Sequence, residues 1–142
     1  MFTIKSKVEF DMAHYLSGYV GKCANIHGHR YKLIAKIKAE KLHEEGQLRG
    51  MVDDFGNFKS ALKEIADFFD HKLILEDNEE GRALAEKLME LPNNFKIEFL
   101  PYRTTAEEMS RDIFNRLKSQ GLNVCEVELF ETPNNSCIYT ED

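Results

Sequence analysis

Residues 2–12 of the sequence, FTIKSKVEFDM, carry mostly apolar side chains at even positions and polar side chains at odd positions. A period of two predicts a β-strand with one buried face, and His14 continues the apolar parity. The alternation resumes on odd positions from Tyr31 to Ala39, which predicts a second strand antiparallel to the first. The loop of about a dozen residues between them is longer than a hairpin needs, which indicates a functional loop.

Two amphipathic helices are predicted farther along the chain. Asp53 or Asp54 can cap a helix whose apolar residues follow the three-and-four spacing of a buried face. These residues are Phe55, Phe58, Leu62, Ile65, Ala66 and Phe69. A second helix begins at Thr104 and Thr105 and places Met109, Ile113 and Leu117 on one face.

The remaining segments complete the predicted fold. Phe95–Leu100, Val124–Glu131 and Ser136–Thr140 are expected to be strands, and a turn at residues 133–135 joins the last two as a hairpin. The fold class is therefore α+β, an antiparallel sheet with helices on one face. The expected order is strand, strand, helix, helix, strand, strand, with an insertion near residues 76–100 that is acidic at first and then helix-like.

Length and composition limit the classes of protein to consider. With 142 residues, 42% of them hydrophobic and 31% charged, the chain is expected to form a single domain spanning residues 1–142. It contains no apolar run of about 18 residues and no apolar signal-peptide core, so neither a membrane location nor secretion is expected. Three cysteines, an odd number, favour a reducing compartment and a cytoplasmic location. The net charge of −6 argues against a nucleic-acid partner.

Three histidines are predicted to meet at one end of the sheet. His27 and His29 flank Gly28 at the start of the second strand, so their side chains project to the same face. Such a pair alone is more often two half-buried side chains than a metal site. His14 lies on the matching parity of the first strand, and antiparallel pairing brings the third imidazole to the same place. Three neutral imidazoles with a fourth position open are the ligands of a catalytic zinc site, so we predict Zn²⁺ at these histidines.

Cys23 lies in the loop, four residues before His27. It is either the fourth ligand of a closed, structural zinc site or an unligated thiol whose pKa the metal lowers, so that the thiolate acts as a base. The spacing alone leaves both interpretations open. The other two cysteines, Cys125 and Cys137, are expected to be small core residues.

Four further ionisable residues are candidates for the site. Asp70 and His71 end the first helix, where the helix dipole alone could account for a histidine beside a solvated aspartate. Glu107 is explained by a capping box that runs from Thr104 to Glu107, and a second possible box runs from Thr105 to Glu108. Glu131 lies on the inward parity of its strand, after Cys125, Val127 and Leu129. A carboxylate in that position must find polar partners.

Six motifs occur in order along the chain. They are FDMAH at 10–14, Cys23 with three residues to His27-Gly28-His29, MVDDF at 51–55, FDHK at 69–72, TAE at 105–107 and FET at 130–132. As a set they resemble the 6-pyruvoyltetrahydropterin synthase family, including its bacterial 6-carboxytetrahydropterin synthase branch. The gap between the cysteine and the first histidine resembles that branch. Thr104 departs from it, because the bacterial motif usually has proline there.

The resemblance implies a fold, an assembly and roles for the candidate residues. The fold would be the tunnel fold (T-fold), in which sheets of several subunits join into a barrel and trimers stack as a homo-hexamer. Active sites would lie at subunit interfaces, where Cys23 exchanges protons with His71, oriented by Asp70, of a neighbouring subunit. Glu107 would lie near the pterin, and Glu131 would anchor it by accepting two parallel hydrogen bonds.

The resemblance also implies a reaction. The first expectation is the zinc-dependent conversion of 7,8-dihydroneopterin triphosphate to 6-carboxy-5,6,7,8-tetrahydropterin, with release of triphosphate and acetaldehyde, on the route to 7-deazaguanine compounds and queuosine. The runner-up is the pyruvoyl activity of tetrahydrobiopterin synthesis, a triphosphate elimination. A hypothesis of another class is a noncatalytic zinc-stabilised binding module with Cys23 as the fourth ligand.

Overall fold

The computed structural model describes all 142 residues and contains one six-stranded sheet and three α-helices. The strands are β1 Phe2–His14, β2 His27–Ala39, β3 Lys72–Glu76, β4 Ile97–Leu100, β5 Val124–Thr132 and β6 Asn135–Tyr139. The helices are α1 Phe55–Phe69, α2 Glu79–Met89 and α3 Ala106–Ser119, and a short 3₁₀ helix covers Lys22–Ala24. The strand order is β4-β3-β1-β2-β5-β6. None of the helices is both long enough and apolar enough to cross a membrane.

The predicted antiparallel pair of β1 and β2 is confirmed. The register runs without interruption from Phe2 opposite Ala39 to His14 opposite His27. Even positions of β1 and odd positions of β2 therefore share one face of the sheet. That face is buried in the main core, where the rings of Phe10 and Tyr31 stack with their centroids 5.2 Å apart.

Helices α1 and α3 cover this buried face, as the apolar spacing predicts. The Asp54 carboxylate accepts a hydrogen bond from the Gly56 amide at 2.7 Å and caps α1. The buried residues of the two helices are Phe58, Leu62, Ile65, Ala66 and Phe69 in α1 and Met109, Ser110, Ile113, Phe114 and Leu117 in α3. Phe55 was expected in this stripe but is 56% exposed. As the first residue of α1, it lies in a groove with Phe2 instead of over the core.

The sheet is mixed, whereas the sequence predicted only antiparallel pairs. Strand β3 follows α1 and runs parallel to both β1 and β4. Its sequence, KLILE, shows no alternation because both of its faces are covered. Ile74 belongs to the main core, and its neighbour Leu75 belongs to a second cluster with Tyr15 and Ala85. A short strand buried on both faces is an apolar run that periodicity does not separate from a loop or a helix end.

The segment near 76–100 that was predicted to be an insertion carries α2 and β4. Successive side chains of a strand point to opposite faces, so the cluster that contains Leu75 and Ala85 places α2 on the face away from α1 and α3. The expectation that helices occupy one face therefore holds for α1 and α3, while α2 takes the other face. The Arg82 guanidinium reinforces this packing, since it lies 3.7 Å from the centre of the Phe99 ring.

A bulge at the start of β5 corrects the predicted parity of Cys125. The register between β2 and β5 shifts between Lys36 and Ile37, so that Val124 is buried while Cys125 is half-buried. The Cys125 thiol donates to the Lys36 carbonyl at 3.4 Å. Cys137 in β6 is also half-buried, so neither cysteine is the core residue that was expected.

Alanine substitutions should distinguish the buried ring of Phe58 from the exposed ring of Phe55. We expect Phe58→Ala to lower the free energy of unfolding by about 3–5 kcal/mol, because the ring is fully buried and leaves a cavity. The matched control, Phe55→Ala, should change it by less than about 1 kcal/mol. Urea unfolding of both variants measures this difference. Equal losses would contradict the placement of these two rings.

Candidate functional site

Three histidines converge at the end of the β1–β2 pair. His14 is the last residue of β1, and His27 and His29 begin β2. Their ring centroids lie 4.7 to 5.4 Å apart. One ring nitrogen from each lies within 4.8 Å of the other two, so the three side chains could hold one metal ion. The structure thus brings together the three residues that the strand parity placed on one face.

Thr104 determines which nitrogen of His14 is free to bind a metal. His14 is buried, and its Nδ1 lies 3.1 Å from the Thr104 carbonyl oxygen and 2.9 Å from the Thr104 hydroxyl. A carbonyl oxygen only accepts hydrogen bonds, so Nδ1 carries the hydrogen and Nε2 keeps a lone pair. The Tyr31 hydroxyl is the hydrogen-bond partner of Nε2, 3.4 Å away.

The other two histidines also leave a nitrogen for a cation. His27 donates from Nδ1 to the Asn25 carbonyl at 2.6 Å, which leaves its Nε2 with the lone pair. His29 Nε2 is buried and has no hydrogen-bond partner. The nearest carboxylate oxygen, Glu131 Oε1, is 3.5 Å away. An orphaned buried nitrogen beside two oriented imidazoles fits zinc, which prefers nitrogen ligands held by further hydrogen bonds.

Burial favours the neutral, metal-binding form of His14 and His29. Desolvation, followed by the neighbouring His27 and His29, lowers the pKa of His14 to about 4. Desolvation also lowers the pKa of His29, although the nearby Glu131 carboxylate opposes that effect. At neutral pH no proton competes with a metal ion for His14.

Cys23 lies outside the histidine cluster. It sits in the 3₁₀ helix of the loop, is partly exposed, and its carbonyl accepts a hydrogen bond from the Leu16 amide at 2.9 Å. Its thiol is not among the ligand atoms that lie within 4.8 Å of one another. This placement favours the unligated thiol over the closed four-ligand site.

Asp70 and His71 form a pair on the surface. Asp70 Oδ1 accepts from the Asp11 amide at 2.9 Å, and its Oδ2 lies 3.0 Å from His71 Nδ1. The Asp11 amide, followed by His71 and Arg30, lowers the pKa of Asp70. The His71 backbone has φ 56°, and its side chain is 77% exposed. The two residues contact each other as predicted, but His71 makes no hydrogen bond to Cys23 of the same chain.

Glu107 and Glu131 line one cavity of 230 Å³. Glu131 is only half-buried and also lines a cleft of 440 Å³ together with His29. Glu107 is exposed in the first turn of α3. Of the two predicted capping boxes, the one at Thr105 supplies the cap of α3, since the Thr105 hydroxyl accepts from the Glu108 amide at 3.2 Å. The one between Thr104 and Glu107 does not form, because the Thr104 hydroxyl contacts His14 instead.

The sequence analysis missed two residues that contact the histidines. Tyr31 was counted only as an apolar strand position, and Thr104 as a helix start and a departure from the family motif. The sequence did indicate a separate role for Thr104, because Thr105 can cap the helix alone and leaves the Thr104 hydroxyl free. No pattern could have shown its partner, because His14 lies 90 residues away in the sequence.

The neutral state of His14 predicts an acid sensitivity of the metal-free protein. The unfolded chain binds a proton on this residue near pH 6.5, and the folded chain does so only near pH 4. Neutral His14 therefore contributes about 3 kcal/mol to the free energy of unfolding above pH 6.5, and this contribution is lost as the pH falls towards 4. Urea unfolding of chelator-treated protein should show this loss, and His14→Gln should reduce it. His43→Gln, which removes an exposed histidine, should keep it. Identical pH dependence in all three proteins would contradict the neutral, buried His14.

Sequence comparisons identify relatives that cover nearly the whole chain. A family model described as 6-pyruvoyl tetrahydropterin synthase matches residues 3–142. A protein of Haemophilus influenzae named 6-carboxy-5,6,7,8-tetrahydropterin synthase is 44% identical over 144 residues, which cover 99% of this chain and 100% of the relative. A protein of the same name from Rickettsia bellii is 36% identical, over 94% of this chain and 96% of the relative.

Solved structures show the same fold at lower identity. An uncharacterized protein from Wolinella succinogenes superposes with a TM-score of 0.76 at 19% identity and covers 99% of this chain and 98% of its own. The 6-pyruvoyl tetrahydropterin synthase of Caenorhabditis elegans superposes with a TM-score of 0.67 at 23% identity, over 99% and 96% of the two chains. The fold is thus the T-fold expected from the sequence. With a family model that matches residues 3–142 and relatives above 30% identity along nearly all of its length, the chain belongs to the 6-pyruvoyl tetrahydropterin synthase family.

Proposed function

We propose that this protein is a cytoplasmic, zinc-dependent lyase that converts 7,8-dihydroneopterin triphosphate to 6-carboxy-5,6,7,8-tetrahydropterin, triphosphate and acetaldehyde, on the route to queuosine. The observation that carries the proposal is the cluster of three histidines with oriented or orphaned nitrogens beside Glu131. The names of the Haemophilus and Rickettsia relatives support the pterin substrate and the carboxy product. The position of Cys23 outside the cluster argues against a noncatalytic zinc module.

His14, His27 and His29 would hold the zinc ion. Each is carried by a strand of the rigid β1–β2 pair, and backbone carbonyls orient the first two. When bound, zinc supplies a Lewis acid that lowers the pKa of the hydroxyl groups on the substrate side chain.

Glu131 would anchor the pterin ring. The amino group and ring N–H of the pterin present two parallel donors, which match the two oxygens of a carboxylate. At 3.5 Å, Glu131 Oε1 is close to His29 Nε2 but not hydrogen-bonded to it, so the side chain is free to turn towards the cavity that it shares with Glu107. Glu107, in the first turn of α3, would border the bound ring.

Cys23 would take and return protons at the substrate side chain. The thiol needs a partner that exchanges protons with it, and no hydrogen bond within the chain provides one. His71 is exposed and oriented by Asp70, so it can serve the cysteine of an adjoining subunit. The site would then be completed only in an oligomer, for which we propose the homo-hexamer of two trimers, built from single-domain subunits that span residues 1–142.

Product analysis tests the proposal. The zinc-loaded protein is incubated with 7,8-dihydroneopterin triphosphate, and the pterin product and acetaldehyde are measured. 6-Carboxytetrahydropterin with acetaldehyde supports the proposal, whereas a pyruvoyl pterin without acetaldehyde identifies the alternative activity.

His27→Ala should lose zinc and turnover together, because two ligands hold the ion poorly. Unchanged turnover in His27→Ala would remove the metal from the reaction.

Substitution of the cysteine separates its catalytic role from a structural one. We expect Cys23→Ala to retain zinc and to lose about 10²–10⁴-fold in rate, the usual contribution of a positioned acid or base. Cys125→Ala removes a half-buried thiol in β5 and should retain both zinc and rate. Zinc content and single-turnover rates provide the measurement. Loss of zinc in Cys23→Ala would instead support the closed four-ligand site.

Substitution of Glu131 tests the pterin anchor. Glu131→Gln presents an NH₂ group to a donor of the pterin, so substrate binding should weaken by about 1.5–3 kcal/mol while zinc stays bound. Glu128→Gln, on the same strand, should bind normally, since its carboxylate accepts from the Ser136 hydroxyl. Substrate affinity and melting temperature are measured for both variants. Unchanged affinity with a much lower melting temperature would assign Glu131 a structural role.

A further inference from the structure

Thr104 presents two oxygens to a single nitrogen of His14. Both residues are 1% exposed, so no water competes for this contact. The Thr104 carbonyl and hydroxyl oxygens lie 3.1 and 2.9 Å from His14 Nδ1, and the two partners are 90 residues apart in the sequence. Such a contact links the end of β1 directly to the start of α3.

The two acceptors constrain His14 in two ways. The carbonyl requires the hydrogen on Nδ1, which places the lone pair on Nε2. The pair together also opposes rotation of the ring, because a half-turn about its bond to Cβ would point a carbon-bound hydrogen at both oxygens. A buried ring with two acceptors on one side therefore keeps one tautomer and one orientation.

The Thr104 hydroxyl has no structural task in the helix that follows. Thr105 supplies the cap of α3, since its hydroxyl accepts from the Glu108 amide. The only hydrogen-bond partner of the Thr104 hydroxyl is His14 Nδ1. A buried hydroxyl that serves neither the helix cap nor another side chain is best explained by the imidazole that it contacts.

We propose that Thr104 is a positioning residue of the metal centre, which holds His14 in the tautomer and orientation that direct Nε2 to the ion. The inference rests on the proposed zinc function and deepens it. Thr104 is 1% exposed and its hydroxyl bonds only to His14, so it would act through that imidazole. Removal of its hydroxyl should weaken metal binding without displacing the ligand itself.

Zinc affinity of three variants tests this role, measured by competition with a chromophoric chelator. Thr104→Val keeps the shape and the carbonyl but removes the hydroxyl. We expect its zinc affinity to fall by about 10-fold, which is the lower end of the usual loss when a residue that orients a metal ligand is removed. The loss should be this small because the Thr104 carbonyl still accepts from His14 Nδ1. Thr104→Ser should recover most of the loss. Thr105→Val removes the helix cap and should lower stability while zinc affinity is kept.

The visible spectrum of the Co²⁺-loaded protein gives a second readout, which a purely structural role would not change. The bands should shift in Thr104→Val and return in Thr104→Ser. Wild-type affinity and spectrum in Thr104→Val would overturn the inference while the zinc proposal stands, and a wild-type protein that binds no zinc would overturn both. If Thr104→Val does not fold, Thr104→Ala removes the same hydroxyl with less bulk and is judged by the same outcomes.

Discussion

The uninterrupted register between β1 and β2 is the constraint on which the rest of the structure depends. His14 faces His27 across the pair, and His29 faces Met12, so all three imidazoles emerge on the buried face. A slip of one residue would turn every side chain of β1 to the other face. The apolar positions would then meet water, and His14 would leave its two partners. The same hydrophobic pattern that buries Phe10 therefore also assembles the candidate metal centre.

Much of this arrangement could be predicted from the sequence, because it depends on local periodicity. Alternation identified β1 and β2, three-and-four spacing identified α1 and α3, and parity alone placed His14 beside His27. The failures occurred where burial removes the periodic signal. Strand β3 is covered on both faces and reads as a plain apolar run, and the face taken by α2 depends on side chains from distant segments such as Tyr15. The bulge that displaces Cys125 depends on how β2 and β5 pair, which a single strand does not show.

The candidate site likewise combines features that neighbouring residues determine with features that distant residues determine. The histidine triad follows from two neighbouring strands, whereas His14 and His27 are oriented by backbone carbonyls, which the pattern of residue types does not show. The Asn25 carbonyl orients His27 from two residues away, and Thr104 orients His14 from across the fold. Asp70 in turn takes its position from the backbone of Asp11. Patterns of residue type therefore predicted the candidate site, and the contact with Thr104 determines the tautomer of His14.

The origin of all three imidazoles in one hairpin also bears on the order in which the chain folds. His14 and His29 are close in sequence, so the entropy lost when their strands meet is small, and such local pairings form early. The contact between His14 and Thr104 spans 90 residues and must wait for the second half of the chain. A nascent hairpin thus brings the three imidazoles together before their orientation is complete, and docking of α3 then fixes the ring of His14. Assembly of the histidine cluster and its final orientation are therefore successive events in folding.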